Sequence, residues 1–233
     1  NTSVVQTDVE GRGEDDPARW AQEYRFAAVT EGRIVRAEIE TGLPAGMNAL
    51  VFNTRRDVFR EPKVRQALIL LFNFEWANQN LFNGLYKRTE SFFARSELAA
   101  LGAEPPRAAD AREGALLENF PGAVKPAVRD GSYRFPVGDT AGHNRDNARK
   151  ALALLAEAGY QLKDGKLLST ATGKPLQFEM LIGNSALERL LSAFVGDLKR
   201  LGIEATLRTV DSAQYQSRLT AYDYDMIPYA WTA

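Results

Sequence analysis

The chain has 233 residues, of which 45% are hydrophobic and 25% are charged, and this balance is typical of an ordinary globular protein. Its net charge of -1 supplies no long-range field that would attract nucleic acid or an anionic membrane, so we expect no nucleic-acid partner. It has no cysteine and one histidine, which excludes thiolate metal sites and thiol nucleophiles and leads us to expect neither a metal nor a cofactor.

The first thirty residues are mostly polar and carry weak structural signals. We predict a short helix over 17–24 and a strand over 33–40, "RIVRAEIE", whose apolar residues alternate imperfectly. After the turn-forming "GLPAG", residues 47–53 are mostly apolar and predict a buried strand. This strand ends in the polar run "NTRR".

A helix is predicted to begin at Pro62, because proline is favoured at the first helical position. The apolar spacing that follows continues to about residue 82, with a break near Asn73. Residues 105–142 are rich in proline, glycine and charge and hold at most one short helix, over 108–118. A connection of this length is usually functional or mobile, so we predict surface mobility there.

Sharper signals begin beyond His143, which we interpret as a solvated loop residue. Asn144 is predicted to cap a helix that Gly159 ends, and Asp164-Gly165 to form a hairpin turn. The remaining signals predict a strand over 175–182, a helix capped by Ser185 and Glu188, a strand over 203–210, a helix capped by Asp211, and a last strand in "YDYDMIPYAW". This alternation of strands and helices predicts an α/β fold with parallel pairing.

The polar run after the first strong strand is a candidate binding site. Asn53, Thr54 and Arg55 bring an amide, a hydroxyl and a guanidinium group to one place without a neighbouring base. Phosphate-loop motifs and the serine elbow are also missing, so we expect no catalytic residues. Two of the carboxylates of Glu75, Asp223 and Asp225 could still form a catalytic pair. A carboxylate-based hydrolase therefore remains open as the alternative to a binding protein.

Aromatic residues cluster in two parts of the sequence. One cluster spans residues 72–93, and for it core packing is the default interpretation. The other lies at the end of the chain and includes Tyr229 and Trp231. Ligands of open α/β sheets bind outside the carboxyl ends of the strands, so Tyr229 and Trp231 join the candidate ligand-binding residues.

Three long strings resemble the family 5 extracellular solute-binding proteins of ABC importers, in particular the Yej-type branch associated with oligopeptide and microcin C uptake. They are "MNALVFNTRRDVFREPKVRQAL", "HNRDNARKALALLAEAGYQLKDGKLL" and "LERLLSAFVGDLKRLGIEATLRTVDSAQYQSRLTAYDYDMI". The resemblance implies one lobe of a type II periplasmic-binding-protein fold, with a mixed, mainly parallel sheet and helices on both faces. It also implies that the first lobe and the signal peptide belong to a longer protein.

The resemblance further implies how the chain is organised and used. Residues 1–45 would be a flanking segment, and residues 46–233 a ligand-binding lobe whose strands 47–53 and 225–231 cross to the other lobe. The expected function is non-enzymatic capture of oligopeptides in the periplasm, with permease subunits of the inner membrane as partners. Besides the carboxylate hydrolase, a sensor or interaction module that reuses the lobe remains open.

Overall fold

The structure is a computed structural model that describes residues 4–6, 12–14, 23–35, 46–93, 107–142 and 144–231. The chain divides into two compact units, each made of several chain segments. The first unit contains Asn1–Asn48, Asn78–Phe135 and Ala230–Ala233, and the second contains Ala49–Ala77 and Pro136–Tyr229. The expected boundary between a flanking segment and a lobe at residue 46 stays a prediction.

The described residues form strands and helices in the following order along the chain. The strands are β1 (Val4–Gln6), β2 (Arg12–Glu14), β3 (Met47–Phe52), β4 (Tyr160–Lys163), β5 (Lys166–Ser169), β6 (Gln177–Ile182), β7 (Glu204–Thr209) and β8 (Met226–Trp231). The helices are α1 (Ala27–Thr30), α2 (Asp57–Arg60), α3 (Pro62–Leu71), α4 (Phe74–Leu81), α5 (Ala111–Leu117), α6 (Pro126–Arg129), α7 (Arg145–Glu157), α8 (Glu188–Arg200) and α9 (Ser212–Thr220).

A four-stranded sheet in the order β3-β8-β6-β7 organises the second unit. Strand β6 runs parallel to both β7 and β8. The backbone N–H of Asn53, just after β3, donates to the carbonyl oxygen of Asp225, just before β8, at 2.9 Å. The end of β3 therefore lies beside the start of β8, as in antiparallel neighbours. The expected mixed, mainly parallel sheet is confirmed.

Both faces of this sheet are covered by helices. On one face, Phe178, Met180 and Ile182 of β6 are buried in a core shared with α3, α7 and α8. On the other face, Leu181 and Ile227 pack against residues of α9. Strand β6 is buried on both faces, and its consecutive residues 180–182 are therefore all apolar. Such a continuous apolar run is expected of a central parallel strand.

Several predicted elements are confirmed with their end signals. Pro62 lies in the first turn of α3, and α4 begins directly after the predicted break at Asn73. Strands β4 and β5 form a hairpin around Asp164 and Gly165, whose positive φ angles of 51° and 75° match a two-residue turn. The side chain of Asp211 caps α9 by accepting from the backbone N–H of Gln214 at 2.8 Å.

Some other predictions are wrong, and others fall on residues outside the described ranges. Residues 33–35 are not in a strand, and the rest of the expected strand over 36–40 lies outside the described residues, as does His143. Most of the expected helix over 17–24 lies outside them too. Ser185 and Glu188 form no capping box, because α8 begins at Glu188 behind Leu187, which makes no side-chain cap.

Asn144 does precede α7, but it does not cap the helix with its side chain. It has a left-handed φ of 37°, and its Nδ2 donates instead to the carbonyl oxygen of Leu70 at 3.1 Å. The amide therefore ties the start of α7 to the end of α3. A tertiary hydrogen bond has replaced the local cap that the sequence favoured.

Within the first unit, residues 107–133 are held by local bonds. Asp110 and Glu113 form a capping box at the start of α5. Glu113 also makes two hydrogen bonds of 2.7 Å with the guanidinium group of Arg107. The short helix predicted over 108–118 is confirmed as α5, whereas the predicted mobility of the segment 105–142 stays a prediction.

Candidate functional site

Asn53 is buried at the end of β3, with 3% of its surface exposed. Its Nδ2 donates to the carbonyl oxygens of Tyr222 at 3.0 Å and Tyr224 at 2.8 Å, and its Oδ1 accepts from the backbone N–H of Arg55 at 3.1 Å. Both the nitrogen and the oxygen of the side-chain amide are thus hydrogen-bonded within the second unit. Asn53 holds the ends of two neighbouring strands together.

Arg55 and Tyr222 form an exposed pair beside Asn53. The guanidinium carbon of Arg55 lies 3.9 Å from the centre of the Tyr222 ring, within the range of a cation–π interaction. Tyr222 has a left-handed φ of 54° and is 49% exposed. Thr54 and Arg55 are exposed as well. The pair presents a cation and an aromatic ring to the surface of the second unit.

The next arginine has a different role. Arg56 Nη2 lies 2.8 Å from Asp223 Oδ1, and Arg56 Nε lies 3.3 Å from Asp225 Oδ1. Arg218 Nη2 bonds Glu179 Oε1 at 2.9 Å, and its Nε lies 3.2 Å from Asp223 Oδ2. The charges around Asn53 therefore form a connected network in which each carboxylate meets a guanidinium group.

Tyr229 lies farther along β8, where it is 40% exposed. Next to it, the hydroxyl of Tyr215 donates to the carbonyl oxygen of Pro228 at 2.8 Å. Burial raises the pKa of Tyr215, and the neighbouring phenols of Tyr224 and Tyr229 act in the same direction. The Tyr215 hydroxyl therefore stays protonated at neutral pH and keeps its hydrogen bond to Pro228.

Trp231, the last described residue, belongs to the first unit. Its ring packs edge-to-face against Phe92, with 5.4 Å between ring centres and an interplanar angle of 85°. Trp231 is 36% exposed and Phe92 is 52% exposed. This pair leaves a large aromatic area accessible within one unit, in a geometry that is favourable for aromatic rings.

The candidate residues therefore fall into separate groups. Asn53, Thr54 and Arg55 lie together at the start of β8, next to Asp225. Tyr229 lies four positions farther along that strand, which at roughly 3.3 Å a residue is about 13 Å away. Trp231 belongs with Phe92. The structure does not bring Arg55 and Tyr229 into one cluster.

Two partners in these groups were not singled out by sequence reasoning. Both lie in aromatic-rich parts of the sequence, and core packing is the default interpretation for the part that contains Phe92. For Tyr222, the available signal was the charge pattern around it, "AYDYD", directly before a strand. Neither its left-handed backbone nor its contact with Arg55 has a sequence signature.

The three carboxylates that a hydrolase would use are occupied by backbone hydrogen bonds or ion pairs. Asp225 Oδ2 accepts from the backbone N–H of Glu179 at 2.9 Å, and Glu75 Oε2 accepts from the backbone N–H of Gly138 at 2.7 Å. Asp223 pairs with arginines, as described above. Within the part of the chain that the structure describes, no three histidine or acidic side chains are arranged to hold a metal ion.

In the described ranges, every helix is too short or too polar to cross a bilayer.

Comparison with known proteins connects these features to a family. The family model "Bacterial extracellular solute-binding proteins, family 5 Middle" matches residues 8–233. The peptidoglycan-binding protein YepA of Agrobacterium fabrum is 41% identical over 215 residues, which cover 92% of this chain and 34% of that protein. A probable peptide-binding protein of the same organism, YejA, is 39% identical over 228 residues, covering 96% of this chain and 36% of its own length.

The fold comparison agrees with this match. The oligopeptide-binding protein AppA of Bacillus subtilis, solved with a nonapeptide, superposes with a TM-score of 0.60 at 19% identity and covers 94% of this chain and 36% of that one. An identity this low supports the shared fold alone. The chain spans about a third of the length of the curated relatives it matches.

Proposed function

This chain belongs to the bacterial extracellular solute-binding proteins of family 5, and we propose that it is the part of such a protein that grips oligopeptides for an ABC importer. The match across residues 8–233 carries this proposal. The relative YejA, a probable peptide-binding protein, supports the choice of ligand because its similarity extends over 96% of the chain. In this account the complete protein works in the periplasm, to which a signal peptide directs it, and an inner-membrane permease receives its ligand.

Capture by a two-lobed clamp needs no reacting group. A peptide offers a hydrogen-bond donor and an acceptor at almost every residue, so strand edges and phenol groups can bind it with little dependence on its sequence. Exposed aromatic faces add contact area without chemical selectivity. In this protein, Tyr229 supplies a phenol, while Trp231 and Phe92 supply the aromatic face.

The strands that carry the chain from one unit to the other support this choice of residues. The boundary falls between Asn48 and Ala49 in β3, and between Tyr229 and Ala230 in β8. Tyr229 and Trp231 are therefore the candidates nearest to a chain crossing. We propose that these two contact the ligand, that Thr54 and Arg55 form a second candidate contact, and that Asn53 positions Arg55 through its side-chain oxygen.

Binding without turnover agrees with the state of the carboxylates. A carboxylate hydrolase needs one acidic group to donate a proton and another to attack or activate water. Asp223, Asp225 and Glu75 are each used in ion pairs or backbone hydrogen bonds. The hydrolase alternative is therefore not favoured.

One observation favours a second ligand class. YepA, at 41% identity, is named as a peptidoglycan-binding protein. Fragments of peptidoglycan combine a short peptide with sugar rings, and an exposed aromatic pair such as Trp231 and Phe92 could stack on either part. A peptidoglycan-derived peptide is thus the second candidate ligand.

Calorimetric titration of the complete protein tests this proposal. The titrants are a set of synthetic oligopeptides and, separately, the same peptide stems joined to amino sugars. We expect saturable binding of at least one set, with every peptide recovered at its original mass. Binding of neither set, or recovery of cleaved products, would remove the proposal.

A further inference from the structure

Asn83 and Gly84 form an exposed turn shortly after the end of α4, and they are the one asparagine–glycine pair in the sequence. Asparagine is a thermolabile residue. Its side-chain carbonyl group is open to attack by the backbone nitrogen of the next residue. Glycine hinders that attack least, because it has no Cβ. The pair is therefore a place where the chain can modify itself.

The reaction is a deamidation that needs only water as a co-reactant. The Gly84 nitrogen forms a bond to Asn83 Cγ and the bond from Cγ to Nδ2 breaks. The amide proton of Gly84 leaves with the side-chain nitrogen as ammonia. Water then opens the cyclic imide at one of its two carbonyl groups. The product is either an aspartate or an isoaspartate, in which the main chain continues through the former side chain.

A group of hydrogen bonds centred on Asn78 holds this turn. The Oδ1 of Asn78 accepts from the backbone N–H of Tyr86 at 2.9 Å, and its Nδ2 donates to the carbonyl oxygen of Tyr86 at 2.7 Å. The backbone carbonyl oxygen of Asn78 accepts from the N–H of Gly84 at 2.9 Å. We refer to these bonds of Asn78 with Gly84 and Tyr86 as the Asn78 clasp. The clasp fixes the residues on both sides of the reactive bond.

The closed clasp opposes the reaction in two ways. The attacking nitrogen must lose its proton, but that N–H is held by the carbonyl oxygen of Asn78. The nitrogen must also approach the side chain of Asn83, whose φ is 53°. In this left-handed region ψ is about +30 to +60°, which turns the following nitrogen away from the side chain. The imide ring can therefore close only after the clasp opens.

Opening the clasp breaks local bonds without disturbing a buried core. Asn83, Gly84 and Tyr86 are exposed, Asn78 is half-buried, and all four belong to the first unit. We propose that Asn83 is a deamidation site of this protein and that opening of the Asn78 clasp limits its rate. The isoaspartate product adds one atom to the main chain, so the bonds of the clasp no longer form together. The modification then makes the opening permanent.

Incubation of the complete protein at neutral pH, followed by peptide mapping, tests this inference. Mass spectrometry locates the exchange of amide for acid, and enzymatic methylation identifies isoaspartate. The reference is the synthetic peptide NQNLFNGLYKR, which spans residues 78–88 and has no fold to close the clasp. We expect Asn83 to react about tenfold more slowly in the wild-type protein than in the peptide, because the reaction must first break hydrogen bonds.

Asn78→Ala should bring the reaction at Asn83 close to the rate in the peptide, since it removes both side-chain bonds to Tyr86. Asn119→Ala is the matched control and should leave the rate unchanged. The Asn119 side chain bonds carbonyl oxygens of its own helix, α5, at 3.3 and 3.2 Å. Equal rates at Asn83 in the wild type and in Asn78→Ala would overturn the role of the clasp.

Two further measurements complete the test. Asn184, which precedes a serine, is also exposed, and it should react more slowly than Asn83 in the wild type. Faster conversion at Asn184 would overturn the assignment of the site. Amide hydrogen exchange of Gly84 in the wild type decides the matter if Asn78→Ala loses its circular dichroism spectrum. Exchange slower than in the peptide supports the clasp, and exchange as fast as in the peptide would overturn it.

Discussion

The side-chain amide of Asn53 donates a hydrogen bond of 3.0 Å to the carbonyl oxygen of Tyr222, although 169 positions separate the two residues. The same nitrogen binds the carbonyl oxygen of Tyr224 at 2.8 Å. One buried amide therefore joins the end of β3 to the segment that enters β8. It also fixes the backbone on which the exposed pair of Arg55 and Tyr222 depends.

Replacing Asn53 by aspartate should destabilise the second unit strongly. The change keeps the size of the side chain but turns the donor into an acceptor facing two carbonyl oxygens, so that buried polar groups lose their partners. We expect the free energy of unfolding to fall by about 3 kcal/mol, measured by denaturant unfolding. Asn184→Asp is the control, because Asn184 is exposed and its Oδ1 already acts as an acceptor, from the backbone N–H of Ala186. Equal stability of the two variants would show that the amide of Asn53 does not brace these strands.

Gly138 should not tolerate even a methyl group. A Cβ at this position would lie 2.6 Å from Asn73 Cγ, and Asn73 cannot move freely because its side chain bonds both Asp139 and Trp76. We expect Gly138→Ala to lower the free energy of unfolding by about 2 kcal/mol. In contrast, Gly196→Ala in α8 meets no atom within 4 Å and should raise stability by up to about 1 kcal/mol. A neutral Gly138→Ala variant would contradict the close packing described at this loop.

The ion pair at the start of α5 should lose its effect in acid. Hydrogen bonds from Arg107, and then from the backbone of Asp110, lower the pKa of Glu113 from 4.5 to about 2. Because the folded pKa is the lower one, the stabilisation is complete above pH 4.5 and is lost as the pH falls towards 2. A carbon-13 titration of the Glu113 carboxyl group should therefore show a midpoint near 2. In Arg107→Gln the midpoint should move up towards 4.5, and an unmoved midpoint would remove Arg107 as the cause.

Truncation of Trp231 should weaken ligand binding without unfolding the protein. If its ring lies against the ligand, Trp231→Ala in the complete protein should cost about 1–3 kcal/mol of binding free energy by calorimetry. Leu162→Ala is the control, since Leu162 is an exposed apolar residue of the β4-β5 hairpin. Unchanged affinity with an intact circular dichroism spectrum would exclude Trp231 from the site, and loss of the folded spectrum would assign it to packing.

Local signals in the sequence predicted much of the fold. The strand before Asn53, the proline that begins α3, the hairpin at Asp164 and the cap at Asp211 each depend on a few adjacent residues, and each was found as expected. The mainly parallel sheet followed from the order of these elements. These features depend on the backbone preferences of a few adjacent residues, which can be recognised in the sequence.

Tertiary contacts explain why the cap predicted at Asn144 is wrong and why the Arg55–Tyr222 contact could not be predicted from the sequence. Ser185 and Asn144 both carry good capping side chains, but α8 begins without one, and the Asn144 amide binds Leu70 in another helix. Likewise, the contact of Arg55 with Tyr222 joins residues from two turns that are far apart in the chain. Polar side chains have several possible partners, and the sequence alone does not indicate which one the fold brings near.

Native mass spectrometry of the complete protein, purified from the periplasm, tests the central claim most directly. We expect a protein mass increased by that of a peptide or a peptide-containing peptidoglycan fragment, which tandem fragmentation identifies after release. The same ligand, added back to the emptied protein, should bind again and keep its mass during prolonged incubation. A protein that carries no such ligand and fails to bind one, or that shortens the added peptide, would contradict the account.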